Sequence, residues 1–194
     1  MKLDQNFYCG KKVEYIAKGL LGKVLHTTIE GIRTSAYIVE TEAYSVKEKG
    51  CHAYNYKRTN RTGVMFQKGG IAYVYVCYGI HHLFNVVTNI EGEPEAVLIR
   101  AVAPIVGTNV MEKRRGVKGV SLTSGPGKLS SALGIHHSHN GISLSGNIIW
   151  IEEGMEIEDR NIVSTTRIGI DYAEEDALLP WRFYIRDNKY ISKR

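Results

Sequence analysis

Cysteine and proline are scarce in this chain, with three cysteines and four prolines among 194 residues. Cys9, Cys51 and Cys77 are odd in number, far apart and in no CxxC pairing. That argues against a disulfide framework or a structural zinc site and for reduced thiols. No apolar run approaches the length of a membrane span. The opening residues Met1-Lys-Leu-Asp-Gln-Asn lack the basic and then apolar order of a signal peptide. Repeats, low-complexity tracts and linkers are also absent. The expectation is a cytoplasmic protein with no membrane partner.

What is present is ordinary for a packed chain: 43% hydrophobic and 23% charged residues, at a length that buries a real core without staples. We therefore expect a single domain spanning residues 1–194. Twenty-five Lys and Arg against twenty Asp and Glu leave a net charge of +5, which suits a polyanionic partner without requiring one.

Val13, Ile16, Ala17, Leu20 and Leu21 follow one helical face, with Gly22 placed to end it. Lys23 to Ile29 and Arg33 to Tyr44 are strand-like runs joined at Glu30-Gly31, which predicts a hairpin. Ala96 to Val102 predicts a strand closed by Pro104, and Thr108 to Arg115 a helix stopped by Gly116. A short helix should open at Ser124-Gly-Pro-Gly-Lys-Leu129 and stop at Gly134. Ile148 to Glu152 and Trp181 to Arg186 have strand composition, with a turn at Asp187-Asn188. This mixed order, without regular βαβ alternation, predicts an α+β fold: one curved, largely antiparallel sheet, a protruding β-hairpin and flanking helices.

The protruding hairpin is the most unusual segment. Between Gly69 and Thr88, alternation puts Tyr73, Tyr75 and Cys77 on one strand face and Val74, Val76 and Tyr78 on the other. Gly79 breaks the run, so a tyrosine and two histidines crowd a tip at about Tyr78 to His82. Upstream, Glu40, Glu42 and Tyr44 share a strand face. Two readings stand for them: a polar cleft, because paired carboxylates are costly to bury alone, or a plain solvent-facing strand. Residues 50–62 mix bases with aromatics and lack an apolar period, which fits a long loop facing phosphate or simply a solvated one.

Three further groupings have weaker claims. Cys51 and His52 are neighbours and point apart in an extended chain, against a thiol nucleophile. Ser124-Gly-Pro-Gly-Lys128 fails the nucleotide phosphate-loop pattern, since Leu122 holds the first-glycine position and Leu129 follows the lysine. Lys128 at that helix start could hold one backbone phosphate, or the segment could serve only as a cap. His136-His-Ser-His139 lies against an exposed Asn140-Gly141 turn with no nearby carboxylate or cysteine, which argues against a metal site.

Taken together, a set of motifs resembles the alkyladenine (3-methyladenine) DNA glycosylase family from about Phe7 onward. They are Val39-Glu-Thr-Glu-Ala-Tyr44, Cys51-His-Ala, Arg58-Thr-Asn-Arg61, Met65-Phe66, Gly70 to Gly79, Asn85-Val-Val, Ala96-Val-Leu-Ile-Arg-Ala101, Ser124 to Leu129, Arg167-Ile-Gly-Ile170 and Trp181-Arg-Phe-Tyr184. Cys51 and Thr62 depart from the usual pattern, which bears on substrate range.

The resemblance implies an enzyme that flips alkylated or deaminated purines out of duplex DNA and hydrolyses the N-glycosidic bond. The bases concerned would be 3-methyladenine, 7-methylguanine, hypoxanthine and ethenoadenine. It implies that Tyr78 fills the vacated stack while Ile80 and His81 touch the groove and backbone. Tyr44, His52 and Tyr75 would stack on the flipped base, and Asn85 would clash with the 2-amino group of guanine. Glu42 would be the general base, helped by Arg100 and the backbone carbonyl of Ile168. No matching lysine nucleophile is present, so a monofunctional hydrolase is expected, without metal or cofactor. Its partner would be double-stranded DNA containing damaged purines, met by a monomer in the bacterial cytoplasm beside the nucleoid. Two rival readings are a lesion-binding protein without catalysis and a single-strand or RNA-binding module that stacks bases on tyrosines.

Overall fold

The computed structural model describes residues 1–193. Its centre is one sheet of eight strands, every pair antiparallel: β1 Val24–Ile29, β2 Ile32–Tyr44, β3 Ala72–Cys77, β4 His81–Thr88, β5 Glu95–Val106, β6 Ile149–Glu152, β7 Ile162–Thr165 and β8 Arg182–Ile185. The order is β3-β4-β5-β2-β1-β6, and β8 pairs with both β2 and β7. Three α-helices flank it: α1 Val13–Gly19, α2 Thr108–Arg115 and α3 Pro126–Leu133. This is the expected α+β fold. Among the described residues no helix is long and apolar enough to cross a membrane.

Strand alternation divides the apolar residues between two faces. Val74, Phe84, Val86, Val97 and Ile99 join the large core with Ile16, Met111, Leu129 and Leu133 from the helices. Tyr73, Val87 and Ala96 point the other way and form a smaller cluster with Cys51, Ala53 and Met65, against which Tyr44 and Tyr75 pack. The first cluster fastens the helices. The second builds one wall of a cavity.

β2 is the organising strand. One edge follows β5, while the other is shared, with β1 along residues 32–37 and β8 along residues 40–42. The β2–β5 register shifts at Ser35/Ala36, Ile38/Glu40 and Glu40/Thr41, leaving Ile105, Val39 and Arg100 outside the pairing. Such irregularities bend a strand and re-aim side chains. The two between Ile38 and Thr41 sit beside Glu40, Glu42 and Arg100.

The predicted Glu30-Gly31 turn is present, with φ of +54° and +74° at its two residues, the geometry a two-residue hairpin demands. Several boundaries differ from expectation. α1 ends at Gly19, before Leu20 and Leu21, although both are buried. Gly22 instead makes a close approach, where an added Cβ would lie 2.3 Å from the Met155 carbonyl oxygen. Pro104 does not close β5, which continues to Val106. β4 pairs only with residues 95–98, so the missing N–H of Pro104 lies along an edge no other strand uses. β7 is an addition, built from polar Ser164 and Thr165 and held by pairing with β8.

Candidate active site

A cavity of about 440 Å³ opens beside β3. The expected pocket residues Tyr44, His52, Tyr75 and Asn85 line it, as do Arg100, Ile168 and Tyr78. These residues come from β2, β3, β4, β5, the loop after β2, the hairpin tip and the loop after β7, so the fold alone brings them together.

Glu42 sits directly behind this wall, fully buried at 0% exposure. The solvent-facing reading of its strand is therefore wrong, and the burial has a clear compensation. The Ile168 N–H donates to Glu42 Oε1 at 2.8 Å, while the Tyr44 hydroxyl at 2.7 Å and Arg100 Nη1 at 3.1 Å donate to Oε2. A carboxylate offers about four lone-pair positions. Three are taken, and all three donors belong to residues of the cavity wall. The resemblance points to the Ile168 carbonyl, whereas the contact seen here is made by its amide.

Arg100 bridges two carboxylates, with Nε donating to Glu40 Oε1 at 3.2 Å. Burial opposes its charge, yet Glu42 and Glu40 outweigh that and hold its pKa above the ordinary value. Glu40, also at 0% exposure, accepts in addition from Arg182 Nη1 at 2.9 Å, the Ser192 hydroxyl at 2.9 Å and the Ser192 amide at 2.6 Å. Two buried glutamates and two buried arginines thus compensate one another behind the cavity, as buried charges must. Burial first, and then the charge and hydrogen bond of Glu42, keep the Tyr44 phenol well above its usual range and so protonated as a donor.

Tyr44 is fixed from its other side by Arg167, whose guanidinium lies 4.9 Å from the Tyr44 ring centroid and 5.4 Å from that of Trp181. Arg167 holds Glu48 through two bonds of 2.7 and 2.8 Å and also donates to the Ala43 carbonyl. In the sequence Arg167 stands out only within its motif, and nothing marks Glu48. No local pattern links two residues so far apart in the chain.

The aromatic wall is tight. The His52 and Tyr75 ring centroids are 4.7 Å apart at 78°, and Tyr73 and Tyr75 are 5.5 Å apart. His52 Nδ1 meets the Tyr73 hydroxyl at 2.9 Å. Burial and then the charge of Arg61 push the His52 pKa down to about 4, so the ring is neutral near pH 7. Asn85 Nδ2 donates to the Tyr73 and Leu83 carbonyls at 3.1 and 3.3 Å, which fixes the amide at the cavity floor.

The hairpin tip projects past the cavity mouth. Tyr78 is 91% exposed and Ile80 72% exposed. Tyr78 also adopts φ of +51°, followed by Gly79 at +74°. A left-handed tyrosine costs on the order of 1–2 kcal/mol, and a fully exposed ring there gains nothing from folding. Exposed His81 packs over Gly127, where an added Cβ would lie 3.0 Å from the imidazole, so α3 and its exposed Lys128 adjoin the tip.

Two groupings do not join the site. Cys51 is buried and its thiol is pushed up to about 12, chiefly by desolvation, so it is not a nucleophile. In the histidine run, His139 Nδ1 accepts from the His136 amide and His137 Nδ1 meets the Val74 carbonyl, so these nitrogens serve local hydrogen bonds.

A family described as methylpurine-DNA glycosylase matches residues 6–189. A protein of Natranaerobius thermophilus is 46% identical over 197 residues, covering 99% of each chain. One of Chlamydia felis is 48% identical over 96% of this chain and 97% of its own, and one of Clostridium acetobutylicum 47% identical over 99% and 98%. All three bear the name "Putative 3-methyladenine DNA glycosylase". With a full-length match, an aromatic cavity and a compensated buried carboxylate behind it, the chain belongs to the methylpurine-DNA glycosylase family.

Proposed function

We propose that this DNA glycosylase is monofunctional and initiates base-excision repair by flipping alkylated or deaminated purines out of duplex DNA, hydrolysing the N-glycosidic bond with water activated by Glu42. The observation that carries the reading is the Glu42 carboxylate held by three donors that themselves line an aromatic cavity.

Extruding a nucleotide costs a few kcal/mol. Tyr78 offsets part of that by stacking in the vacated step, with Ile80 beside it and with His81 and Lys128 against the backbone. The extruded purine enters between Tyr44 on one side and His52 with Tyr75 on the other, over Asn85. Stacking on these ring faces holds either a cationic or a neutral purine, at about 1–3 kcal/mol per stacked base.

Glu42 has one lone-pair position left for a water. Because the carboxylate lies behind the wall, a small shift of the Tyr44 ring or of Arg100 on base insertion opens that position to the cavity. Catalytic hydrogen bonds commonly reach final geometry only in the loaded complex. Glu42 then takes a proton from water as the oxygen adds to the sugar C1′. The bond to the base breaks with its electron pair; a neutral lesion such as hypoxanthine takes the proton as it departs, whereas a cationic methylated purine leaves neutral and the proton passes from Glu42 to solvent. The negative charge of Glu42 meanwhile stabilises the oxocarbenium character of the sugar. Arg100 orients the carboxylate, and Glu40 keeps Arg100 aligned. The cavity wall carries no lysine, which favours hydrolysis to an abasic site over a Schiff base.

One chain supplies every residue named, so a monomer on duplex DNA in a bacterial cytoplasm is sufficient. The test is a labelled duplex with one hypoxanthine, incubated with the protein and split with or without hot alkali. Strand breaks only after alkali support the proposal. Breaks without alkali would overturn the monofunctional assignment. No breaks on this duplex and none on methylated DNA would leave a lesion-binding protein.

A further inference from the structure

Two basic side chains stand on the cavity wall, and their situations differ. Arg100 is compensated by Glu40 and Glu42, whereas Arg61 makes no salt bridge among the described residues. Its guanidinium carbon lies 4.5 Å from the Tyr75 ring centroid, and Nη2 is 3.1 Å from His52 Nε2 and 3.4 Å from Nδ1. A permanent, planar cation therefore rests against the two rings assigned above to one side of the flipped base.

That placement divides purine lesions by charge. The attraction of an aromatic face for a cation is already partly used by Arg61. A second positive charge brought to the same rings, in a cavity the base itself empties of water, meets like-charge repulsion. A neutral purine meets none, and a carbonyl oxygen or ring nitrogen on its edge can accept a guanidinium N–H. His52 reports the same field, since Arg61 adds to burial in keeping it neutral.

We infer that Arg61 is a specificity-determining residue that tilts excision away from cationic alkylated purines and toward neutral lesions such as hypoxanthine and ethenoadenine. The inference rests on the glycosylase reading above. It assigns Arg61 no part in the hydrolysis itself.

The experiment compares wild type, Arg61→Gln and Arg61→Lys in single-turnover excision from two matched duplexes, one carrying 7-methylguanine and the other hypoxanthine. Arg61 lies exposed on a loop, so its replacement leaves the core intact. Arg61→Gln is expected to raise the ratio of 7-methylguanine to hypoxanthine rates by about fivefold to tenfold, while Arg61→Lys stays within about twofold of wild type. In parallel, NMR titration of His52 should show its pKa rising in Arg61→Gln. An unchanged or lower ratio overturns the inference. So does an equal loss on both duplexes with weaker binding to undamaged DNA, which would make Arg61 a phosphate contact, and so does a His52 titration that fails to move. Wild type inactive on both duplexes would instead overturn the glycosylase reading, and this inference with it.

Discussion

Replacing Arg167 by methionine isolates a buried ion pair that supports the site without touching the chemistry. Arg167 is 6% exposed and Glu48 2%. The substitution removes both bonds to Glu48 and the donations to the Ala43 and Asp176 carbonyls. Glu48 keeps the Gly50 amide at 2.7 Å, one donor for a buried charge. Breaking one side of such a pair costs about 3–5 kcal/mol, a large share of the roughly 5–15 kcal/mol that holds a domain together. For a chain of this size that lowers Tm by about 6–20 °C. Urea unfolding followed by tryptophan fluorescence measures it, with Trp181 packed on the Arg167 guanidinium. Partial rescue is expected as well: Arg167→Met with Glu48→Leu removes the stranded charge and should recover most of the loss. A single variant destabilised by less than about 1 kcal/mol, or a double variant no better than the single one, would refute the argument.

Two further predictions concern the wedge and the pocket histidine. Tyr78→Gly should stabilise the protein by about 1 kcal/mol in urea, because it relieves a left-handed tyrosine, yet weaken binding to lesion DNA by about 1–3 kcal/mol in a gel titration through lost stacking. Unchanged affinity would remove the wedge role. His52 is neutral when folded, with a pKa near 4 against 6.5 for the free side chain. The unfolded chain therefore binds its proton first, and this contribution is complete above about pH 6.5 and lost as pH falls toward 4. That amounts to at most about 3 kcal/mol. A His52→Gln variant should show a flatter stability profile across that window, and an identical slope would contradict the assignment.

Much of the frame was legible because local chemistry dictates it. Glu30-Gly31 must turn, Gly134 must stop α3, and period-two alternation from Tyr73 to Cys77 separates the ring-bearing face from the core face. The exposed tip was legible for a related reason, since a tyrosine beside a turn glycine has little core to join, while the wedge role proposed for it comes from the resemblance. Less legible was whatever depends on distant partners. Glu40 and Glu42 looked as fit for solvent as for burial, because Arg100, Ile168, Arg182 and Ser192, which compensate them, lie some 60 to 150 positions away. β7 was invisible because Ser164 and Thr165 form a strand only when β8 offers an edge. Pro104 misled because proline is tolerated along an unpaired edge, which only the sheet order reveals. The site roles came from the resemblance of the motifs as a set, while the ion pair of Arg167 with Glu48 and the placement of Arg61 needed three dimensions.

Activation of the water by Glu42 stands or falls with the Glu42→Gln variant. Glutamine preserves shape and leaves Glu40 to compensate Arg100, and turning its amide nitrogen toward the Ile168 N–H costs about 1–3 kcal/mol, which lowers stability while the fold survives. Single-turnover excision of hypoxanthine should fall by at least about 10²–10⁴-fold, the usual contribution of a general base, while affinity for the same duplex stays within about threefold of wild type. A rate within tenfold of wild type, from a folded variant that binds normally, would move the activation of water away from Glu42.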